Sequence, residues 1–378
     1  MTFTYSLRNL LRRRLTSGMT AGGIAIAALV MLVSVSMILG VDHTMGSTGS
    51  PRNVLVMSRG ARSENSSTLT TEVVSQLRAH PGASQVSPEV VASGRAASKD
   101  GSAQYAMGLR GIEAGAFQVH AGVRIVEGRA PKTSENEAVL GKAAARQLEG
   151  IGVGQKVRVL DRDWAVVGIL DSGGTAFESQ IWMDAADLKH ALKRDQVTTV
   201  VLRAGKGIDA EALAGTLNAD PRFEVKAMPE AAYYEEQNTL SAGMKDFALI
   251  LGAVISLAAI LAAMNNMFAS MGERRKEVAT MRALGFAPST ILGSFLFEGA
   301  ILGLAGAAVA CALSLPLGLV SMSMLDPVRW SNVTFQFRLT PELFAGAAVL
   351  GVFLGVLGAL APARAVVRAP IVETLKEL

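Results

Sequence analysis

The chain has 378 residues, of which 50% are hydrophobic and 18% are charged, and its formal net charge at pH 7 is +4. A globular domain carries about 25% charged residues, so this composition favours a membrane protein over a wholly soluble one. The single cysteine, Cys311, excludes a disulfide framework within the chain and does not identify a redox compartment.

The first 15 residues combine apolar and basic side chains at helical spacing. The apolar residues are Phe3, Leu7, Leu10, Leu11 and Leu15, and the basic ones are Arg8, Arg12, Arg13 and Arg14. This pattern predicts an amphipathic helix lying in the inner headgroup layer of a membrane, with its arginines against anionic lipid. The alternative is a charged flank that only sets the orientation of the next segment.

Four charge-free windows reach the roughly 20 residues that a helix needs to cross a bilayer. They are Leu15–Val41, Phe247–Gly272, Gly299–Leu325 and Leu343–Ala363. The first could be a cleaved signal, but its apolar run is longer than a signal peptide's and no A-x-A-like site follows, which favours a retained anchor. Arginines before the first window predict a cytoplasmic N-terminus, and four crossings then place the C-terminus on the same side.

The predicted fold is a polytopic helical membrane protein with a large mixed α/β domain between its first and second spans. The segments are 1–15 for the interfacial helix, 16–41 for the first span, 42–246 for the outer domain with a helical stalk, 247–272 for the second span, 273–288 for a cytoplasmic connection, 289–325 for the third span, 326–342 for a short outer loop, 343–363 for the fourth span and 364–378 for the tail.

The outer segment alternates predicted strands and helices. Residues 52–58 and 154–170 are rich in valine and leucine and predict strands, the second stretch as a hairpin. Residues 70–82 predict a helix ended by Pro-Gly, and 184–194 predict a helix capped by Asp184. Residues 232–246 predict a stalk continuous with the second span.

The outer domain offers little sign of chemistry. Its histidines are His43, His80, His120 and His190, and none has a partner at metal-ligand spacing, so we expect solvated side chains. The pair Asp42–His43 is interpreted as part of a loop. Two Gly-Lys dipeptides lack the rest of a P-loop, so an ATP-binding motif of that type is not expected in this chain.

The connection after the second window, "GERRKEVATMRALGF" at 272–286, is highly charged. Glu273 with Lys276 and Arg274 with Glu277 are i,i+3 pairs of opposite sign, so a rigid charged helix is predicted, with residues 273–277 exposed together. Gly285 and Pro288 predict its end and the start of the next helix. Pushing this helix would move the two spans joined to it.

Small residues in the spans predict close helix contacts. Gly299 with Gly303 and Gly351 with Gly355 each form a G-x-x-x-G pair. These motifs fit either a dimer interface or packing within one subunit, and the sequence does not choose. Glu298 is the charged exception near a span, for which a structural or interfacial role is favoured over a proton relay.

Residues 265–310 resemble the FtsX-like or MacB-type ABC transporter permeases, a family that includes macrolide exporters, lipoprotein-releasing permeases and DevC-type exporters. The resemblance is carried by the E-R-x-K-E run at 273–277, R-A-L-G at 282–285 and F-x-x-E-G at 295–299. The opening "SLRNLLRRRLTS" and the closing "PARAVVRAPIVETL" are also similar to the family, and residues 137–170 resemble its periplasmic core domain less specifically.

The resemblance implies a permease subunit without its own ATPase, in a bacterial inner membrane with its large domain in the periplasm. The expected partners are a cytoplasmic ABC ATPase that binds ATP and Mg²⁺, a second permease copy or paralogue, a periplasmic adaptor protein, an outer-membrane channel and membrane lipids, but no nucleic acid. No cofactor or metal is expected in the chain itself. By analogy, the ATPase-coupling residues are Glu273, Arg274, Arg275, Lys276, Glu277, Arg282 and Gly285.

Three functions are weighed. Export or extraction of a hydrophobic or amphiphilic substrate is favoured because the outer domain is large. An FtsX-like signalling subunit that activates a cell-wall hydrolase is the alternative. A membrane enzyme has only Asp42–His43 in its support.

Overall fold

The computed structural model describes residues 14–272, 274–326 and 331–370, without the side chains of 14, 15 and 239–242. Most of the interfacial helix predicted at 1–15 lies outside the described residues, including Arg8, Arg12 and Arg13. The coupling residue Glu273 also lies outside them. Arg14 is the first residue of a helix, and its side chain is among those not described.

The described residues divide into two units. The helical unit comprises the described parts of Met1–Leu39, Ala242–Val320 and Phe337–Leu378, and the α/β unit comprises Gly40–Ser241 and Ser321–Gln336. Each unit has its own apolar clusters. The boundary falls inside the first long helix and near the start of the second.

Among the described residues, four helices are long and apolar enough to cross a membrane. They are α1 (Arg14–Gly46), α8 (Thr239–Gly272), α10 (Pro288–Ser314) and α11 (Pro341–Arg368). A short helix, α9 (Arg275–Ala283), lies between α8 and α10. Pro288 and Pro341 stand in the first turns of α10 and α11, where a missing N–H costs no hydrogen bond.

The α/β unit is built on a ten-stranded mixed sheet with the order β10-β1-β9-β2-β3-β8-β5-β7-β4, and β6 pairs with β2 and β7. The strands are β1 (Asn53–Ser58), β2 (Ala83–Ala97), β3 (Gln104–Ile112), β4 (Arg124–Gly128), β5 (Glu137–Gly141), β6 (Lys156–Val159), β7 (Arg162–Asp171), β8 (Gln180–Asp184), β9 (Thr199–Ala204) and β10 (Val225–Pro229). Only the β3–β8 and β5–β7 pairs are parallel among these described strands.

Six short helices complete this part of the chain, and several of them pack apolar side chains into the clusters of the α/β unit. They are α2 (Thr71–Arg78), α3 (Ala116–Val119), α4 (Lys142–Gln147), α5 (Ala185–Leu192), α6 (Ala210–Ala219) and α7 (Glu230–Glu236), with 3₁₀ turns at Glu64–Ser66 and Ala176–Ser179. The predicted cap is confirmed, because Asp184 accepts hydrogen bonds from the Ala186 and Asp187 amides. The predicted hairpin of β6 and β7 turns at Leu160 and Asp161.

The third predicted span, 289–325, begins at the right place but is wrong at its carboxyl end. The helix α10 begins at Pro288 and stops at Ser314, a 3₁₀ turn covers Leu315–Leu319, and Ser321–Asp326 form a strand, β11. This strand pairs with β12 (Ser331–Gln336), and the hairpin belongs to the α/β unit. The Thr334 amide donates to Ser179 Oγ at 2.8 Å, so the predicted outer loop 326–342 contains a strand that docks on the sheet domain.

The predicted stalk 232–246 is continuous with the second span only from Thr239 onward. Helix α7 ends at Glu236, Gln237 is its C-cap, and α8 begins at Thr239. Tyr233 and Tyr234 of α7 are buried in an apolar cluster of the α/β unit. Residues 230–236 are therefore part of the folded domain, and the helix that contains the second span begins after them.

Candidate coupling site

The charged connection folds into α9 and packs on its neighbours through one apolar face. Val278 is buried, and together with Met281 it contacts an apolar cluster that includes Phe295 of α10 and Val366 of α11. Gly285 follows the helix with φ of +93°, a conformation that glycine adopts without strain. The helix therefore ends where the sequence predicts.

Arg274 is not exposed with its neighbours, which corrects the prediction for residues 273–277. Its side chain is 5% exposed and donates from Nη1 to Glu298 Oε2 of α10 at 2.9 Å. The guanidinium carbon lies 4.9 Å from the Phe295 ring centroid, and Glu277 Oε2 lies 3.6 Å from Arg274 Nε. The Arg274–Glu298 contact supports a structural role for Glu298. It also holds the start of α9 against α10.

The other end of α9 is held by the last long helix. Arg282 donates from Nη1 to the carbonyl oxygen of Ala369 at 2.8 Å, and Ala369 is the C-cap of α11. A cation at the carboxyl end of a helix interacts favourably with its unpaired carbonyl groups. The short helix is thus fastened to α10 at its first turn and to the end of α11 at its last.

The opposite side of the connection is exposed. The side chains of Arg275, Lys276 and Glu277 are open, and so are two large apolar side chains beside Gly285. Those two are Leu284, which is 74% exposed, and Phe286, which is 51% exposed. Charged and apolar groups on one open face can recognise a protein partner, and sequence reasoning missed the apolar pair although R-A-L-G-F displays it.

The two G-x-x-x-G pairs meet each other inside one chain. A Cβ built on Gly303 would lie 2.0 Å from the Gly351 carbonyl oxygen, and one on Gly355 would lie 2.1 Å from the carbonyl oxygen of Gly299. Such close approach of two helix backbones requires glycine. The structure therefore assigns these four glycines to α10–α11 packing, an alternative that the sequence left open.

A buried charged cluster in the α/β unit was not predicted from the sequence. Arg110 donates to Glu89, and Arg110 Nη2 donates to Glu64 Oε1 at 3.2 Å and to the Tyr234 hydroxyl at 3.1 Å. Arg110 Nε also donates to Gln180 Oε1 at 3.0 Å. We name Glu64, Glu89, Arg110, His120 and Glu230 the buried charge cluster; each of them is less than 5% exposed.

His120 corrects the prediction of solvated histidines. Its Nε2 lies 2.7 Å from Glu89 Oε1 and its Nδ1 lies 3.5 Å from Glu230 Oε1. The ring packs edge-on against Phe177 and Trp182. Of the other three histidines, His43 and His190 are exposed, and Asp42 and His43 lie in α1 instead of a loop.

The cluster shifts the pKa values of its members. Burial raises the pKa of Glu89, but His120 and Arg110 outweigh it and lower that pKa to about 2. Burial lowers the pKa of His120, but the carboxylates of Glu89 and Glu230 outweigh it and raise that pKa. The pKa of Glu230 is raised, chiefly by burial. An imidazolium between two carboxylates fits this geometry, because both ring nitrogens face acceptor oxygens.

Known proteins match both parts of the chain. Residues 17–219 match a MacB-like periplasmic core domain, and residues 249–371 match the FtsX-like permease C-terminal domain. An ABC transporter permease of Methanocaldococcus jannaschii is 26% identical over 270 residues, which cover 68% of this chain and 66% of that protein.

Two further relatives carry the MacB name. The macrolide export ATP-binding/permease protein MacB 2 of Aeromonas hydrophila subsp. hydrophila is 21% identical over 326 residues, which cover 82% of this chain and 49% of the relative. The periplasmic region of MacB from Actinobacillus actinomycetemcomitans is 13% identical with a TM-score of 0.39, covering 50% of this chain and 93% of that one. The chain thus spans just under two thirds of the archaeal permease and about half of this MacB.

The match to the MacB-like domain falls mainly on the α/β segment, and the match to the FtsX-like domain falls on the last three long helices. The chain belongs to the MacB-like and FtsX-like family of ABC transporter permeases.

Proposed function

We propose that this chain is the permease subunit of an ABC transporter and that the exposed face of α9, with the loop after it, binds a cytoplasmic ABC ATPase on a separate subunit. The observation that carries the proposal is the fastening of α9 at both ends. A force on its open face would reach α8 through the chain, α10 through Arg274–Glu298 and α11 through Arg282. A loosely attached loop would instead absorb the motion.

In this proposal the partner ATPase binds ATP and Mg²⁺, and its closure moves the apolar helices as a group. The motion acts on the α/β unit on the far side of the membrane, where a hydrophobic or amphiphilic substrate is exported or extracted. A second permease copy, an adaptor protein and an outer-membrane channel complete the assembly. The family relationship supports this reading, and the orientation with both termini in the cytoplasm is part of the proposal.

Photo-crosslinking tests the ATPase contact. A benzoylphenylalanine replacing Leu284 in the full chain should capture a polypeptide that carries the P-loop sequence G-x-x-x-x-G-K-[ST], identified by mass spectrometry. The matched control replaces Val126, which is 59% exposed in the α/β unit. The proposal is overturned if position 284 yields no ATPase adduct in membranes that contain ATP, or if position 126 yields the same adduct.

Cysteine labelling tests the orientation independently. In a Cys311→Ala background, Ser75→Cys on exposed α2 should react with a membrane-impermeant thiol reagent in intact spheroplasts. Ala283→Cys, exposed at the end of α9, should react only after the membrane is opened. The reverse pattern would overturn the orientation.

A further inference from the structure

The chain leaves α1 and later enters α8 through two short segments of the α/β unit. Residues 47–53 follow α1 and lead into β1, and residues 230–238 lead from β10 through α7 to α8. These segments are about 180 residues apart in sequence. Their contacts decide whether the two long helices join the domain separately or together.

Glu230, the first residue of α7, binds the segment after α1 directly. Its Oε2 accepts a hydrogen bond from the Ser50 amide at 2.9 Å and another from Asn53 Nδ2 at 2.8 Å. Glu230 is fully buried. Hydrogen bonds to a charged group are stronger than neutral ones, and leaving such a group unpaired in the interior is costly.

Two further features bring the same segments together. Asn238 Nδ2 donates to Asp42 Oδ1 at 2.7 Å, which joins the residue before α8 to the last turns of α1. Gly49 has φ of +85°, and a Cβ on it would lie 2.8 Å from Glu230 Cγ. Glycine at position 49 therefore allows the chain to pass directly over the Glu230 side chain. On its other side, Glu230 faces His120, which ties it to the sheet.

We propose that Glu230, Ser50, Asn53, Asp42 and Asn238 form a clasp that makes the two helix connections of the α/β unit move as one piece. In this arrangement the carboxylate of Glu230 is a positioning group, because it holds both chain segments against the sheet. The existence of the clasp does not depend on the proposed transport function. The consequence of the clasp, that motions of α1 and α8 are transmitted to the domain at a single point, does rest on the proposed function.

Hydrogen exchange of the full chain in detergent micelles or nanodiscs tests the clasp without any partner. In Glu230→Gln, amides in 47–53 and in 231–238 should exchange about tenfold faster, and both should accelerate by a similar factor. Peptides from β9, a buried central strand, should keep their protection. The control is Glu236→Gln, which changes an exposed carboxylate on the same helix.

A second pair of variants leaves all charges in place. Gly49→Ala adds backbone strain and a clash with Glu230, whereas Gly60→Ala adds the same kind of strain at φ of +88° with nothing within 4 Å. Gly49→Ala alone should accelerate exchange in both segments. This pair decides the question if Glu230→Gln fails to fold.

Three results would overturn the clasp. Acceleration confined to one segment would mean that the two connections are independent. Equal acceleration in β9 would mean that Glu230 stabilises the whole domain and does not position these segments. Equal exchange in Gly49→Ala and Gly60→Ala would remove the role of close contact. None of these results bears on the ATPase crosslink, so the clasp and the proposed function can fail separately.

Discussion

Two buried ion-pair sites, one in each unit, are built in different ways. In the helical unit, Arg274 and Glu298 are 24 residues apart and lie on consecutive helices. In the α/β unit, Arg110 is paired with carboxylates from other elements, and the buried charge cluster runs from Glu64 to Glu230. The first site joins Arg274 to one buried carboxylate, Glu298, and to the exposed Glu277, while the second is a network with several buried partners.

The difference teaches how each unit tolerates change. Removing both members of an isolated buried pair can be nearly neutral, whereas removing one member leaves an uncompensated charge. In the buried charge cluster, Arg110 and His120 each face two carboxylates, so deleting either cation weakens the pairing of two buried acids. A second substitution should therefore recover most of the stability lost at the helical site, but little of the stability lost at the buried charge cluster.

The chain has a native reporter for each unit. Trp164 and Trp182, two of the three tryptophans, are fully buried in the α/β unit, so tryptophan fluorescence follows its unfolding. Cys311 is the single cysteine and lies partly buried in α10, so its reaction with a thiol-reactive dye follows opening of the helical unit. Thermal scans with both probes on one sample compare the two sites directly.

The largest effect is expected for Arg110→Met. It removes the guanidinium that pairs with both Glu64 and Glu89 in the interior, and we expect a loss of about 5 kcal/mol, the upper end of the range for a broken buried pair. The fluorescence transition should fall accordingly, while Arg158→Met on the exposed side of β6 should change stability by less than about 0.5 kcal/mol. Similar transitions for the two variants would show that the cluster is not stabilising.

A double-mutant cycle at the helical site is expected to give the next largest effect. Glu298→Leu should destabilise the helical unit by about 3 kcal/mol, since Arg274 is left without its buried partner. Adding Arg274→Met should restore most of the loss in the Cys311 assay. Arg110→Met with Glu89→Leu should restore little in the fluorescence assay, because Glu64 and His120 remain. Equal recovery at both sites would remove the distinction between pair and network.

The glycine contact between α10 and α11 predicts a moderate effect. Gly303→Ala places a methyl group against the Gly351 carbonyl and should cost about 1–3 kcal/mol, as overpacking does elsewhere. Gly293→Ala, on the same helix with nothing within 4 Å, is the matched control and should be close to neutral. The Cys311 assay measures both. A neutral Gly303→Ala would mean that the helices separate easily.

The smallest effect is a pH dependence of the α/β unit. Glu89 has a lowered pKa, so its stabilisation is lost as the pH falls below about 4.5 towards about 2. His120 has a raised pKa, so its stabilisation is complete below its unfolded value of 6.5 and is lost as the pH rises through the folded value. Glu230 also has a raised pKa, so its contribution is complete below its unfolded value of 4.5 and is lost as the pH rises through its folded value. The slope for one proton is at most about 1.4 kcal/mol per pH unit.

A variant identifies the group that titrates on the alkaline side. The charged groups that face His120 are Glu89, Glu230 and Arg110. His120→Gln should flatten the alkaline limb of fluorescence-detected stability, and His190→Gln, at an exposed position, should leave it unchanged. An unchanged limb in His120→Gln would remove His120 from the linkage.

The error in the predicted bounds of the third span has a cause that can be identified in the sequence. A charge-free window does not distinguish a helix from a strand. The window itself began at Gly299 because Glu298 carries a formal charge, although the predicted span 289–325 was extended back to the start of α10. That charge is paired with Arg274, a contact which the window cannot take into account. At the other end, "SMSMLD" alternates apolar and polar residues with period two after Pro316, which is typical of a strand.

The sequence by itself determined the four apolar helices, the mixed α/β domain between the first two, the short helix α9 and the caps at Asp184 and Gly285, because these depend on composition and on neighbours within a few residues. Only the tertiary structure decided that Arg274 is buried, that the two glycine pairs meet each other, and that Arg110, His120 and Glu230 share one site. Those contacts join residues as far apart in sequence as His120 and Glu230, and their charges become compatible with burial only once the fold has brought the partners together.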